Sequence, residues 1–143
     1  MSLNEPYSPD NILAKIIRGE MPSIKVFEND RSLAIMDIFP QTEGHTLVIP
    51  KHVEATNLLT MDDAALAGFI VDVKKVAAAV EKAMAPDGVR IMQFNGAPAG
   101  QTIFHLHFHI LPIFDRAPLG AHAGQKADTD KLEALAHKIR AAF

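Results

Sequence analysis

The stretch that decides the reading is Gly100-Gln101-Thr102-Ile103-Phe104-His105-Leu106-His107-Phe108-His109-Ile110-Leu111-Pro112. From Ile103 to Leu111 apolar and imidazole side chains alternate. At the two-residue period of a strand, Phe104, Leu106, Phe108 and Ile110 share one face, and His105, His107 and His109 share the other. The spacing predicts a strand over Thr102 to Leu111, with a core on the even face and three imidazoles about 6.6–7 Å apart on the odd one. Imidazole is the side chain whose ordinary pKa lies near neutrality, so it can act as donor, base, acid or nucleophile.

Three readings of that face are open. It could be solvated polar decoration, which three successive His at period two make improbable. It could hold a metal, since His is the commonest metal ligand, but three on one flat strand converge poorly on an ion and no nearby Asp or Glu completes the group. It could perform nucleophilic and acid–base catalysis on an anionic group such as a phosphoryl. The preceding loop, Asn95 to Thr102, favours the third: its glycines let backbone N–H groups approach an anion, and Gln101 and Thr102 offer donors.

Working outward, Asp10 is placed to cap a short helix to about Arg18, with Ile12, Leu13, Ile16 and Ile17 on its apolar side and Gly19 to end it. Short strands are predicted over Lys25 to Glu28, Ser32 to Met36 and His45 to Ile49, the last stopped by Pro50. Leu66, Phe69, Ile70, Val73, Val76, Ala77, Val80 and Met84 recur every three or four residues, which predicts a long amphipathic helix from about Thr60 to near Pro86. Val89 to Phe94 reads as a strand. A polar stretch, Asp115 to Lys126, leads into a last helix with Leu132, Leu135, Ile139 and Phe143 on one face. The class is α+β: a mostly antiparallel sheet with one long and two shorter helices packed on it.

Composition bounds the rest. The 143 residues make one domain, and a formal charge of −3 leaves no basic excess for general nucleic-acid binding. The absence of Cys excludes thiolate metal sites and disulfides. No apolar run approaches a membrane span. Met1 to Asp10 is polar with Pro6 and Pro9, unlike a signal peptide, so a cytoplasmic protein is expected.

Gly100 to Pro112 resembles the signature of the histidine triad (HIT) family. Lys15-Ile16-Ile17-Arg18-Gly19-Glu20-Met21-Pro22 resembles the opening helix of its Hint-like nucleotide-binding branch. Asp37-Ile38 followed by Gly44-His45-Thr46-Leu47-Val48-Ile49-Pro50-Lys51-His52 resembles that branch's central strands. The division implied is an N-terminal arm over 1–9, a HIT domain over 10–114 and an extension with a helix over 115–143.

The resemblance implies purine nucleotide binding, with hydrolysis or transfer at the α-phosphate of an adenosine 5′-phosphoramidate-type substrate. Residue by residue, it makes His107 the nucleophile that is transiently nucleotidylated and His109 the member contacting the phosphoryl group. His105 would orient its neighbour, with His45 as a fourth, supporting histidine. Asp37 would accept from the ribose hydroxyls. Ile12, Leu13 and Ile38 would line the base pocket. Asn95, Gly100, Gln101 and Thr102 would make the phosphate and leaving-group contacts, and Ile103 would be a further nucleotide-binding residue. It further implies a homodimer and no required cofactor, because imidazoles and backbone donors can stabilise the charge.

Blander readings stand beside these. Ile12, Leu13 and Ile38 could simply be core, Asp37 a turn residue, His45 a satisfied core histidine and His52 a surface one. Asn11 and Ala14 stand where some members carry zinc-binding cysteines, and Leu106 stands where the uridylyltransferase branch has Pro. Dinucleoside polyphosphate hydrolysis, a non-catalytic nucleotide-binding or scaffold role, and a zinc hydrolase are the alternatives.

Overall fold

The computed structural model describes residues 3–121 and 124–143. The first two residues of the predicted arm, and 122 and 123 within the predicted polar stretch, lie outside the described residues. Five strands, β1 (Lys25–Glu28), β2 (Ser32–Met36), β3 (Thr46–Pro50), β4 (Gly88–Met92) and β5 (Phe108–Ile113), form one sheet in the order β1-β2-β3-β5-β4. Every neighbouring pair is antiparallel. Among the described residues there are three α-helices, α1 (Ile12–Ile17), α2 (Asp63–Met84) and α3 (Thr129–Arg140), with short 3-10 turns at Leu58–Thr60 and Ala97–Ala99.

Strands β2 and β3 are buried along their whole length because both faces are covered. Ala34, Met36 and Val48 face the main core, where Phe69, Val73, Val76 and Val80 of α2 and Leu132, Ala136 and Ile139 of α3 pack. Leu33, Ile35, Leu47 and Ile49 point the other way, onto Leu13, Ile16 and Ile17 of α1. The amphipathic face read for α2 is the buried one, and the helix begins at the Asp62 cap, whose side chain accepts from Ala65 N. The first helix is capped by Asn11 rather than Asp10, through a 2.8 Å bond from Ala14 N to Asn11 Oδ1.

An ion pair ties the sheet to α2. Arg31 Nε lies 2.8 Å from Asp72 Oδ2, and the Ser32 hydroxyl donates to the same oxygen at 2.6 Å. Burial pushes the Asp72 carboxyl up, but these donors outweigh it and hold its pKa below the ordinary value.

The predicted strand from Thr102 is corrected. The ladder begins only at Phe108; residues 102–107 leave the sheet, with Leu106 N donating to Ala55 O at 2.8 Å. Only His109 of the three therefore owes its direction to strand alternation. The imidazoles also do not face open solvent: His105, His107 and His109 are 1%, 8% and 3% exposed.

Candidate active site

The register of the sheet assembles the site. Met36 pairs with Thr46, and Thr46 with Ile110. The residues beside those three, Asp37, His45 and His109, thus meet across β2, β3 and β5 from distant parts of the chain. Gly44 makes the turn into β3 with φ +89°, and a Cβ there would stand 3.0 Å from Met84 Cγ and 3.1 Å from Pro112 Cγ. Only glycine fits that corner and aims His45 inward.

Hydrogen bonds fix the tautomers. The Gln41 backbone N–H donates to His45 Nδ1 at 3.1 Å, so in the neutral ring His45 carries its hydrogen on Nε2. That nitrogen is 2.9 Å from His109 Nδ1, which must accept, leaving the His109 hydrogen on Nε2. His107 Nδ1 lies 2.6 Å from the His105 carbonyl oxygen. A carbonyl only accepts, so His107 is protonated on Nδ1 and its lone pair sits on Nε2. His105 donates from Nε2 to Pro50 O at 3.1 Å and accepts at Nδ1 from the Tyr7 hydroxyl at 3.0 Å. Burial, opposed by the Pro50 carbonyl and reinforced by His107, lowers the His105 pKa to about 4. His105 is a neutral, internally satisfied histidine. The rings of His107 and His109 meet edge-on, with centroids 4.9 Å apart.

In front of His107 and His109 lies a cleft of about 360 Å³. Of the residues read from the sequence, Ile12, Leu13, Asp37, Ile38, Thr102 and Ile103 line it with those two histidines. Asp37 stands at the cleft end of β2, its Oδ1 accepting from Phe39 N and its Oδ2 3.4 Å from His45 Nε2. His45 and His105 lie behind the cleft wall.

Asn95, Gly100 and Gln101 are not among the lining residues. Asn95 Oδ1 accepts from Leu58 N and Gln93 Nε2, each at 3.0 Å. Gln101 Oε1 accepts from Gly96 N, and its Nε2 donates to Thr56 O and Ile103 O. Gly100, at φ +111°, turns against the Phe94 ring. These three shape the loop that delivers Thr102. Ile16, Met21, Pro22, Phe39 and Lys126 also line the cleft. Ile16 was legible as part of the apolar helix stripe, whereas Lys126 comes from the polar stretch with no local signal.

A family model of the HIT domain matches residues 18–116. The chain belongs to the HIT family. This HIT protein is similar to a solved HIT-like protein from Bartonella henselae: 48% identical, TM-score 0.88, covering 96% of this chain and 99% of that one. It is similar to an adenosine 5′-monophosphoramidase of Schizosaccharomyces pombe, 41% identical over 71% of this chain and 72% of that protein. A zinc-bound histidine triad family protein from Mycobacterium smegmatis is 32% identical with TM-score 0.77, covering 93% of this chain and 92% of that one.

The last likeness bears on a correction. Two expectations fail: that no cofactor is called for, and that no carboxylate completes a histidine metal set. Asp37, His45 and His109 bring their ligand atoms within 4.8 Å of one another. Two imidazoles and a carboxylate are a donor set that suits zinc. The carboxylate was missed because it is near only in space, carried there by β2–β3–β5 pairing. An ion on this group would displace the proton that His45 directs at His109, so the residues present fit it at the cost of that hydrogen bond.

Proposed function

We propose that this HIT protein is a nucleotide hydrolase or transferase acting at the α-phosphate of adenosine 5′-phosphoramidate-type substrates, through a nucleotidyl-histidine on His107. The observation that carries the reading is the His107 Nδ1–H bond to the His105 carbonyl, which leaves the nucleophilic lone pair on Nε2 at the cleft. His107 Nε2 attacks the α-phosphorus and the P–N bond to the amine breaks. The amine leaves with a proton drawn from water through the Thr102 hydroxyl. The resulting hydroxide then attacks phosphorus, the P–Nε2 bond breaks and AMP departs, with one water consumed overall. The His109 Nε2–H donates to a phosphoryl oxygen throughout, held in that tautomer by His45 and the Gln41 N–H.

Ile12, Leu13, Ile38 and Ile103 offer the apolar walls for a purine, and Asp37 the acceptor for ribose hydroxyls. Asn95, Gly100 and Gln101 act through the loop that carries Thr102. Asp37, His45 and His109 are the residues that would hold a divalent ion, which when bound supplies Lewis acidity. The same reading divides the chain into an arm over 1–9, a domain over 10–114 and an extension over 115–143. It includes a cytoplasmic homodimer. Support for the dimer is that β4 is a sheet edge with Ile91 exposed. Among the described residues no helix is long and apolar enough to cross a membrane.

The test is intact-protein mass spectrometry after rapid quench with an adenosine phosphoramidate. An AMP adduct mapped to His107, and its loss with turnover in His107→Ala while AMP still binds, is the expected result. AMP binding without adduct or release would replace this reading with a non-catalytic nucleotide-binding one.

A further inference from the structure

Tyr7 stands outside the cleft, in the segment before α1, and none of the chemistry above uses it directly. Its hydroxyl is nevertheless 3.0 Å from His105 Nδ1, and the two rings pack with centroids 5.5 Å apart. Asn11 Nδ2, at 3.5 Å and committed to Ser8 O at 2.8 Å, is a weak second donor to that nitrogen. The segment carrying Tyr7 is anchored independently. Thr56 Oγ1 donates to Glu5 O at 3.3 Å and Asn57 Nδ2 to Leu3 O at 3.2 Å. The Thr56 carbonyl in turn accepts from Gln101 Nε2 at 2.6 Å, so the same anchor grips the loop before the histidines.

We propose that Tyr7 is a positioning residue for the nucleophile: its hydroxyl holds the His105 ring, and so the His105 carbonyl that selects the Nδ1–H tautomer of His107. The proposal rests on the reading of His107 as nucleophile. The chain of bonds runs Tyr7 O–H to His105 Nδ1, His105 Nε2–H to Pro50 O, and His107 Nδ1–H to His105 O. With both ring nitrogens engaged, His105 cannot turn without breaking one bond, and its carbonyl stays 2.6 Å from His107 Nδ1. Remove the hydroxyl and a buried acceptor loses its donor. The ring relieves that by rotating, by exchanging tautomer or by admitting water. Each outcome loosens the carbonyl, and His107 then samples the Nε2–H tautomer, which has no lone pair on Nε2 to attack with.

The experiment uses the full chain labelled with ¹⁵N-histidine, wild type and Tyr7→Phe, which keeps the ring contact. Imidazole ¹⁵N shifts at neutral pH read the tautomers, and kcat and KM with an adenosine phosphoramidate read the consequence. The expected result is His107 protonated at Nδ1 in the wild type and mixed in Tyr7→Phe. With it kcat falls about tenfold, KM stays within about twofold and the circular dichroism is unchanged. An unchanged His107 tautomer and kcat in Tyr7→Phe would overturn the proposal. Tyr7 is the chain's single tyrosine, so growth on 3-fluorotyrosine alters that hydroxyl alone should Tyr7→Phe not fold. The His105 Nδ1 resonance must then move, and a fixed resonance overturns the proposal equally. Absent turnover in the wild type would sink the assigned reaction, while the His107 tautomer would still decide the role of Tyr7.

Discussion

His105 is buried behind the cleft wall with both ring nitrogens hydrogen-bonded. Its folded pKa of about 4 lies below the ordinary 6.5 because burial disfavours the imidazolium. Between those two values the unfolded chain binds a proton that the native protein refuses. Stability therefore falls as pH drops from about 6.5 to about 4 and levels below that, by about 3 kcal/mol across the window. Urea midpoints at pH 7 and pH 4.5 should show the drop, and His105→Gln should flatten it; parallel pH profiles in the two proteins would count against the account. Asp72 loses its contribution only further down, as pH falls through its lowered carboxyl pKa. The donor set Asp37, His45 and His109 makes a second prediction at this scale. Zinc should bind the protein in an equimolar calorimetric titration, and Asp37→Asn should weaken it about 10-fold or more. Unaltered zinc affinity in that variant would remove Asp37 from the ligand group.

At the scale of elements, several local readings matched the structure, while the Asp10 cap and the strand start at Thr102 did not. Ser32 to Met36 and Lys25 to Glu28 emerged as strands with their predicted bounds, and the stripe from Leu66 to Met84 emerged as α2. The His-bearing strand was misplaced because alternation of side chains is only half of a strand. The other half is a ladder partner, and β3 and β4 pair with β5 only from Phe108 to Ile113. Upstream, Leu106 is core although its N–H goes to the Ala55 loop, and His105 and His107 beside it are buried as well, so residue type alternates there without a ladder. The end of α2 carries a testable strain. Ala85 closes the helix at φ 46°, the left-handed region, with its N–H bonded to Glu81 O at 3.0 Å. An L side chain there costs about 1 kcal/mol that glycine does not. Ala85→Gly should raise the Tm by a few degrees with activity unchanged, and a lowered Tm would show that the lost unfolded-state restriction outweighs the relieved strain.

The whole molecule adds what no window of sequence contains. Cleft residues Ile12 and Leu13, Asp37 and Ile38, and Ile103 were reached through the likeness of their segments to the HIT family, whereas the imidazole alternation at His107 and His109 and the polar loop ending at Thr102 were local patterns. Their partners Tyr7 and Lys126 were not, because only the closed fold brings them near. The extension reaches the cleft through backbone bonds: Gly120 N donates to Gln41 O at 2.6 Å and Ala127 N to Ile38 O at 2.9 Å. The second of these sets Lys126 at the cleft edge, on a chain whose net charge is −3. An exposed ammonium beside a site for an anionic nucleotide acts over a Debye length, so its effect is on capture and is screened by salt. Lys126→Ala should raise KM for an adenosine phosphoramidate about threefold at 20 mM salt with kcat unchanged, and the gap should close by about 0.5 M. A KM that equals the wild-type value at both salts would mean the extension meets the cleft without taking part in recognition. A change in kcat instead would place Lys126 with the reacting phosphate rather than at the rim.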